Sequence, residues 1–204
     1  FQKKLRSVWQ LQQHVSYCLF GSKKHLMNEL FEKKNLPFYK FGDAIYLAKI
    51  ETKYWIEYIC KRFENTGKHI SPELAEEICR LVDNHSSYVQ QLSWLLWIRT
   101  INTATTEQLS YALEDLLDQN NILFQSETEN LSAYQMNFLK AIVDGIHTKF
   151  SSKEVISKYN LGTSANIVRL KNALLQKELI ETNGKEIVLA DPVFGVWFKK
   201  EMLY

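Results

Sequence analysis

Glycine and proline are scarce in this sequence, whose 204 residues include 7 glycines and 3 prolines. Turn-dense all-β folds use many of both, so this scarcity predicts a mainly helical chain. It also argues against a glycine-rich loop that could cradle phosphate. No G-x-x-x-x-G-K-[ST] motif occurs in the sequence.

Long apolar runs and metal-ligand patterns are also missing. No stretch approaches eighteen apolar residues, and no basic-then-apolar leader opens the sequence, so we expect a cytoplasmic chain without membrane contact. The cysteines, Cys18, Cys60 and Cys79, are far apart and form no C-x-x-C, which predicts core thiols rather than a disulfide framework. The five histidines form no H-x-x-x-H pair, so no metal site is expected.

Charge is segregated along the chain although the formal net charge is only +2. Lys and Arg exceed Asp and Glu by 13 to 6 in residues 1–68, whereas acids exceed bases by 11 to 4 in residues 69–150. The basic third could pair with the acidic middle or face a polyanion such as nucleotide phosphate. The simplest interpretation is that these charged side chains lie on solvent-exposed faces of helices.

Residues 1–48 have the pattern of an α/β unit. A helical stretch at 5–13 precedes residues 15–20, whose uncharged, aromatic and β-branched content predicts a strand buried on both faces. Gly21 and Ser22 then turn the chain into a helix that begins at Lys23. Open α/β sheets bind ligands at this end of their strands.

Residues 49–131 are helical in period and predict a bundle. Ser71 and Pro72 form a helix start, and Thr105 with Gln108 forms a capping box. The stretch 88–98 is apolar nearly all round, so we expect the most buried helix there and expect the five tryptophans in the core. Residues 119–131, rich in amides and acids, are predicted to be a linker.

Residues 132–204 predict a winged helix-turn-helix. Capping boxes that begin at Ser132 and Ser151 start two helices, a third runs over 164–177, and a hairpin is centred on Asn183-Gly184. The third helix places three polar side chains on its outer face: Arg169, Asn172 and Gln176. One positive charge is few for a DNA reader, so protein contact or internal packing is favoured over DNA binding.

Three stretches of the chain, together with its end, resemble the archaeal-type P-loop ATPases, relatives of the AAA+ and signal-transduction ATPases. The resemblance rests on residues 15–27 (VSYCLFGSKKHLM), 36–42 (LPFYKFG), 84–92 (NHSSYVQQL) and 191–197 (DPVFGVW). It implies the end of an α/β ATPase core over 1–48, a helical lid over 49–131 and a terminal winged helix over 132–204. In that family the phosphate loop and the Mg²⁺-binding acids lie upstream, which implies that this chain is the carboxyl-terminal part of a longer ATPase.

The same resemblance implies a nucleotide site. Gly21, Ser22 and His85 would contact the nucleotide, with Ser22 as the catalytic group that senses the γ-phosphate or the attacking water. Ser86 and Ser87 stand where relatives usually carry a proline. ATP and Mg²⁺ are implied for the longer polypeptide, with neither bound to this chain alone, and a protein client or self-association is implied as a further contact.

Other interpretations of these residues stay open on the sequence. Ser22 could simply cap the following helix, and His85 could be a polar residue at a helix start. For the whole chain, the alternative is a winged-helix regulator or adaptor that binds DNA or a protein without nucleotide. The residues by themselves contain no complete catalytic constellation.

Overall fold

The structure is a computed structural model that describes residues 1–21 and 24–203. The chain is mainly helical, as predicted, and it forms two compact units, Phe1–Ala48 and Lys49–Tyr204. The assignment of residues 1–48, 49–131 and 132–204 to a core piece, a lid and a winged helix stays a prediction. Within the described residues, no helix is both long and apolar enough to cross a membrane.

The first unit has two short helices around a small aromatic cluster. They are Gln2–Trp9 (α1) and Lys24–Glu32 (α2). The Trp9 ring lies 4.4 Å from that of Tyr17 and 5.4 Å from that of Phe38, measured between centroids. Phe38 is the one buried hydrophobic residue among those described in this unit.

The prediction of a buried strand at 15–20 is wrong for this chain. Residues 15–20 belong to no strand, and all of their side chains are exposed, with Phe20 92% exposed. A strand must pair its backbone N–H and C=O groups with a neighbouring strand. The described residues of the first unit provide no such neighbour.

The second unit begins with four helices. They are Thr52–Glu64 (α3), Pro72–Leu81 (α4), Ser86–Arg99 (α5) and Thr106–Glu129 (α6). Two predicted starts are confirmed: the Ser71 side chain accepts from the backbone N–H of Leu74, and Thr105 and Gln108 form a capping box. The predicted bundle therefore forms, and α5 and α6 pack closely along each other.

The predicted linker at 119–131 is wrong, because α6 continues to Glu129. Phe124 and Thr128 lie on the buried face of this helix. Asn120 donates to the carbonyl of Leu116 at 2.8 Å and Thr128 to that of Phe124 at 3.1 Å. Amides and hydroxyls that look loop-forming in the sequence thus bond back to their own helix.

The rest of the second unit has the predicted winged-helix order. Its elements are Ala133–Val143 (α7), Lys153–Lys158 (α8), Ser164–Gln176 (α9), Ile180–Asn183 (β1), Glu186–Leu189 (β2) and Pro192–Leu203 (α10). The Ser132–Gln135 capping box is confirmed. The second helix is capped by Ser152 instead of Ser151, since Ser152 Oγ accepts from the N–H of Val155.

The hairpin turn lies one residue later than predicted. Asn183 pairs with Glu186 across the antiparallel ladder, so the loop consists of Gly184 and Lys185. Gly184 has a φ of +61°, and Lys185 is not among the residues with positive φ. A positive φ at the first loop position alone is what a type II′ turn requires, and glycine adopts it without strain.

The core runs through the whole second unit, and two predictions of burial, one in each unit, are wrong. Trp55 and Trp197 are buried, but Trp94 is 56% exposed, so the expectation of five core tryptophans is wrong for that residue. Cys79 is buried, whereas Cys18 is exposed and is not a core thiol. Helix α5 is therefore buried on one side only.

Candidate functional site

A tight turn between α4 and α5 positions His85. Asp83 and Asn84 have φ values of 48° and 53°, a left-handed region in which Asp and Asn are the best tolerated non-glycine residues. Lys49 Nζ lies 2.6 Å from Asp83 Oδ2, and the Asn84 amide donates to Thr52 Oγ1 at 3.0 Å. These contacts, from Lys49 just before α3 and from Thr52 at its start, stabilise the turn.

His85 stands immediately before α5 with its side chain half-buried. Its ring centroid lies 4.8 Å from that of Tyr88, and its Nδ1 is buried without a hydrogen-bond partner among the described residues. The side chain does not cap α5. The first backbone N–H groups of α5 therefore keep their donor capacity at the positive end of the helix dipole.

The two serines that follow His85 do not block access to the backbone N–H groups at the N-terminus of α5. Ser86 and Ser87 are both exposed, and the first turn of α5 contains no acidic residue. No side-chain carboxylate in that turn competes for the free N–H groups. The turn can thus donate hydrogen bonds to a polar or anionic group.

The other two predicted nucleotide-site residues belong to the first unit. Gly21 is exposed, and a Cβ added there would lie 3.4 Å from the sulfur of Met27, which is ordinary contact. Ser22 lies outside the described residues. The assignment of Gly21, Ser22 and His85 to one nucleotide site stays a prediction.

The predicted DNA-contact residues lie on the solvent side of α9. Arg169, Asn172 and Gln176 are exposed, while the opposite face of α9 is buried through Ile167, Leu170 and Leu174. The outer face predicted for this helix is therefore present. Whether it contacts DNA stays a prediction.

A partly buried contact that the sequence analysis missed joins α5 to the N-terminus of α10. The Tyr88 hydroxyl donates to Asp191 Oδ2 at 2.5 Å. The other oxygen of Asp191 accepts from the backbone N–H groups of Val193 at 2.8 Å and Phe194 at 3.1 Å, so it caps α10. Burial, and then the bond to Asp191, raise the pKa of Tyr88, which keeps the phenol protonated.

The signal for Asp191 was available in the sequence. Asp191-Pro192 is an N-cap residue followed by proline at the first helical position, the same pattern as Ser71-Pro72. Its partner Tyr88 is 103 residues away, and no local pattern reveals such a pair.

Helix α6 lies against the same contact. Burial raises the pKa of Glu127, and the negative charge of Asp191 raises it further. The Trp197 indole donates to Asn121 Oδ1 at 2.8 Å, and the Trp197 ring lies 5.6 Å from that of Phe124. These contacts join helices α5, α6 and α10. Tyr88, the α5 residue that takes part in them, lies three residues after His85.

Metal ligation has no geometric basis in the part of the chain that the structure describes. No three side chains of His, Cys, Asp or Glu in residues 1–21 and 24–203 come together as a ligand set.

Comparisons with known proteins agree with this architecture. Residues 122–200 match the family described as "Probable winged helix domain". A solved structure, a Walker-type ATPase of Pyrococcus abyssi, is similar to this chain with a TM-score of 0.68 and 18% sequence identity. That likeness covers 97% of this chain and 57% of the other, and it shows a shared fold. No curated protein matches the sequence.

Proposed function

We propose that this chain acts as the lid and winged-helix portion of a P-loop ATPase of the AAA+-related archaeal type. One observation carries the proposal: the likeness to a Walker-type ATPase extends over 97% of this chain but only 57% of the other. The phosphate loop and the Mg²⁺-binding acids would come from residues outside these 204. ATP is the proposed substrate of the longer polypeptide.

His85 and the start of α5 would form the lid side of the nucleotide site. The unpaired Nδ1 of His85 and the uncapped N–H groups of α5 can both hydrogen-bond a nucleotide. Ser22 would hydrogen-bond the γ-phosphate or the attacking water, and Gly21 would allow close approach of the backbone. We expect Mg²⁺ to bind only in the longer polypeptide and not to this chain alone.

The Tyr88–Asp191 contact supports a mechanical role for the winged helix. The His85 ring lies 4.8 Å from the Tyr88 ring, and the Tyr88 hydroxyl donates a hydrogen bond to Asp191, the residue that caps α10. A movement of the His85 turn on nucleotide binding would therefore reach α10 through one side chain. A client or partner protein that responds to this movement would bind the winged helix.

Nucleotide titration tests this proposal. The 204-residue chain alone should show no ATP turnover, because phosphoryl transfer needs a phosphate cradle and a metal ligand that it lacks. In the longer polypeptide, His85→Ala should raise the Kd of both ATP and ADP, measured by calorimetry. The matched control His69→Ala changes an exposed histidine and should leave both Kd values unchanged. ATP hydrolysis by the short chain, or equal effects of the two variants, would contradict the proposal.

The second candidate function is that of a regulator that binds DNA or a protein through the winged helix. The exposed face of α9, with Arg169, Asn172 and Gln176, is the observation that favours it. We expect weak binding to random duplex that falls steeply with salt, measured by fluorescence anisotropy. Tight, sequence-selective binding at physiological salt that is lost in Arg169→Ala would favour the regulator instead.

A further inference from the structure

An open aromatic groove lies between α3 and α5, away from the His85 turn. Its volume is about 440 Å³. Phe63 is buried at its base, and the rings of Tyr58, Trp94 and Trp97 also line it. Trp94 is 56% exposed and Tyr58 is 41% exposed. Exposed aromatic surface of this kind on a folded unit marks a binding surface more often than chance.

The Trp97 wall of the groove is held in place before any ligand arrives. The Trp97 indole donates to Thr66 Oγ1 at 2.8 Å, and Lys68 Nζ lies 4.0 Å from the centroid of the Trp97 ring. Lys68 also donates to the Trp97 carbonyl at 2.6 Å. A ligand would thus meet a preorganised wall and would lose little free energy in ordering it.

Most polar groups in the lining already have partners. The Thr66 hydroxyl donates to the Phe63 carbonyl at 2.8 Å, and the Ser93 hydroxyl donates to the Val89 carbonyl at 2.6 Å. These groups are therefore poor candidates for choosing a ligand. A ligand would therefore be selected mainly by apolar contact and by the charged side chain at the edge of the groove.

Arg62 is that charged side chain. Its guanidinium carbon lies 5.0 Å from the centroid of the Tyr58 ring, a cation–π contact that holds it beside the groove. Among the described residues Arg62 makes no ion pair, and the described lining contains no Asp or Glu. The guanidinium can accordingly take a carboxylate from outside, in the bidentate geometry that arginine favours.

We propose that this groove binds an acidic peptide segment of a partner protein, one that presents an Asp or Glu beside a large apolar side chain. The apolar side chain would lie between Trp94 and Trp97, and the carboxylate would pair with Arg62. A single lining cation argues against single-stranded nucleic acid, since such binding uses several phosphate contacts. This proposal does not depend on ATP binding by the chain.

Selection from a random twelve-residue peptide library displayed on phage tests the proposal with the full 204-residue chain. Enriched peptides should share an acidic residue next to an aromatic or aliphatic one. Synthetic copies should bind with a Kd that rises at least tenfold in Trp94→Ala and in Arg62→Glu, measured by fluorescence anisotropy. Circular dichroism should show unchanged folding, because both side chains lie on the surface.

Lys61→Glu is the matched control, because Lys61 neighbours Arg62 on α3 but does not line the groove. It should leave peptide affinity within twofold. Absence of enriched peptides, affinity equal in Arg62→Glu and Lys61→Glu, or enrichment of basic peptides would overturn the proposal. Tighter binding of single-stranded dT12 than of any selected peptide, lost in Trp94→Ala, would also overturn it and assign the groove to nucleic acid.

Discussion

The two units of this chain differ in how much apolar surface they bury. In the first unit Phe38 is buried, whereas Leu11, Phe20, Ile45 and Leu47 are each more than 80% exposed. The second unit encloses one continuous core from Trp55 to Phe198. Since burial of apolar surface is the main favourable term in folding, the second unit supplies most of the stability.

This contrast matches the roles that we propose for the two units. A lid and winged helix with their own core can move as one body. The apolar side chains exposed around residues 15–20 would be covered by the strands of an ATPase core.

The largest expected effect is the loss of a core side chain in the second unit. Trp197 is 1% exposed and packs on Phe124 and Phe194. Trp197→Ala should lower the free energy of unfolding by about 3–5 kcal/mol in urea titrations followed by circular dichroism. Phe38→Ala is the matched aromatic truncation in the first unit and should change the same transition by less than about 1 kcal/mol. Equal losses would mean that the units share one cooperative core.

The next effect concerns cohesion within the second unit. Tyr88→Phe removes the hydroxyl that bonds Asp191 and should cost about 1–3 kcal/mol, the range for a hydrogen bond to a charged partner. Tyr58→Phe is the control, since among the described residues no hydrogen bond of the Tyr58 hydroxyl is found, and it should be nearly neutral. A split of the unfolding transition in Tyr88→Phe would show that this contact joins two separable parts.

A smaller, pH-dependent effect is expected at Glu127. Burial and the charge of Asp191 raise the pKa of Glu127 in the folded chain. The protonated carboxyl therefore favours the folded state at pH values below the ordinary pKa of glutamate, and this contribution to stability is lost as the pH rises through the raised pKa. Glu127→Gln should therefore stabilise the chain at pH 7, by less than about 1 kcal/mol because the group is partly solvated, and hardly at pH 4. Glu129→Gln, at an exposed position, is the control. Greater stabilisation at pH 4 than at pH 7 would contradict this assignment.

Local sequence patterns predicted the helix starts well and the long-range contacts poorly. Ser71, Thr105 and Ser132 were identified because capping depends on residues within one turn of each other. The linker at 119–131 was mistaken because its polar residues bond within α6, where burial of Phe124 outweighs their turn preference. The periodicity of the sequence does not reveal the packing of Phe124 against the core.

The candidate site shows the same division. The lid contact that the resemblance to ATPases implies for His85 stays a prediction, whereas the bond from Tyr88 to Asp191 emerged only from the structure. The strand predicted at 15–20 fails within this chain because strand pairing depends on partners distant in sequence or outside it. Residue types alone do not specify those partners.

The most direct test of the proposed ATPase role is the turnover of the longer polypeptide carrying Ser22→Ala. If the hydroxyl acts on the γ-phosphate or its attacking water, kcat for ATP should fall by roughly ten- to a thousandfold, about 1.4–4 kcal/mol, while the Kd for ADP stays unchanged. A stability loss of about 1 kcal/mol with kcat intact would mean that Ser22 only caps a helix. That result, or the absence of any ATP hydrolysis by the unmodified polypeptide, would contradict the account.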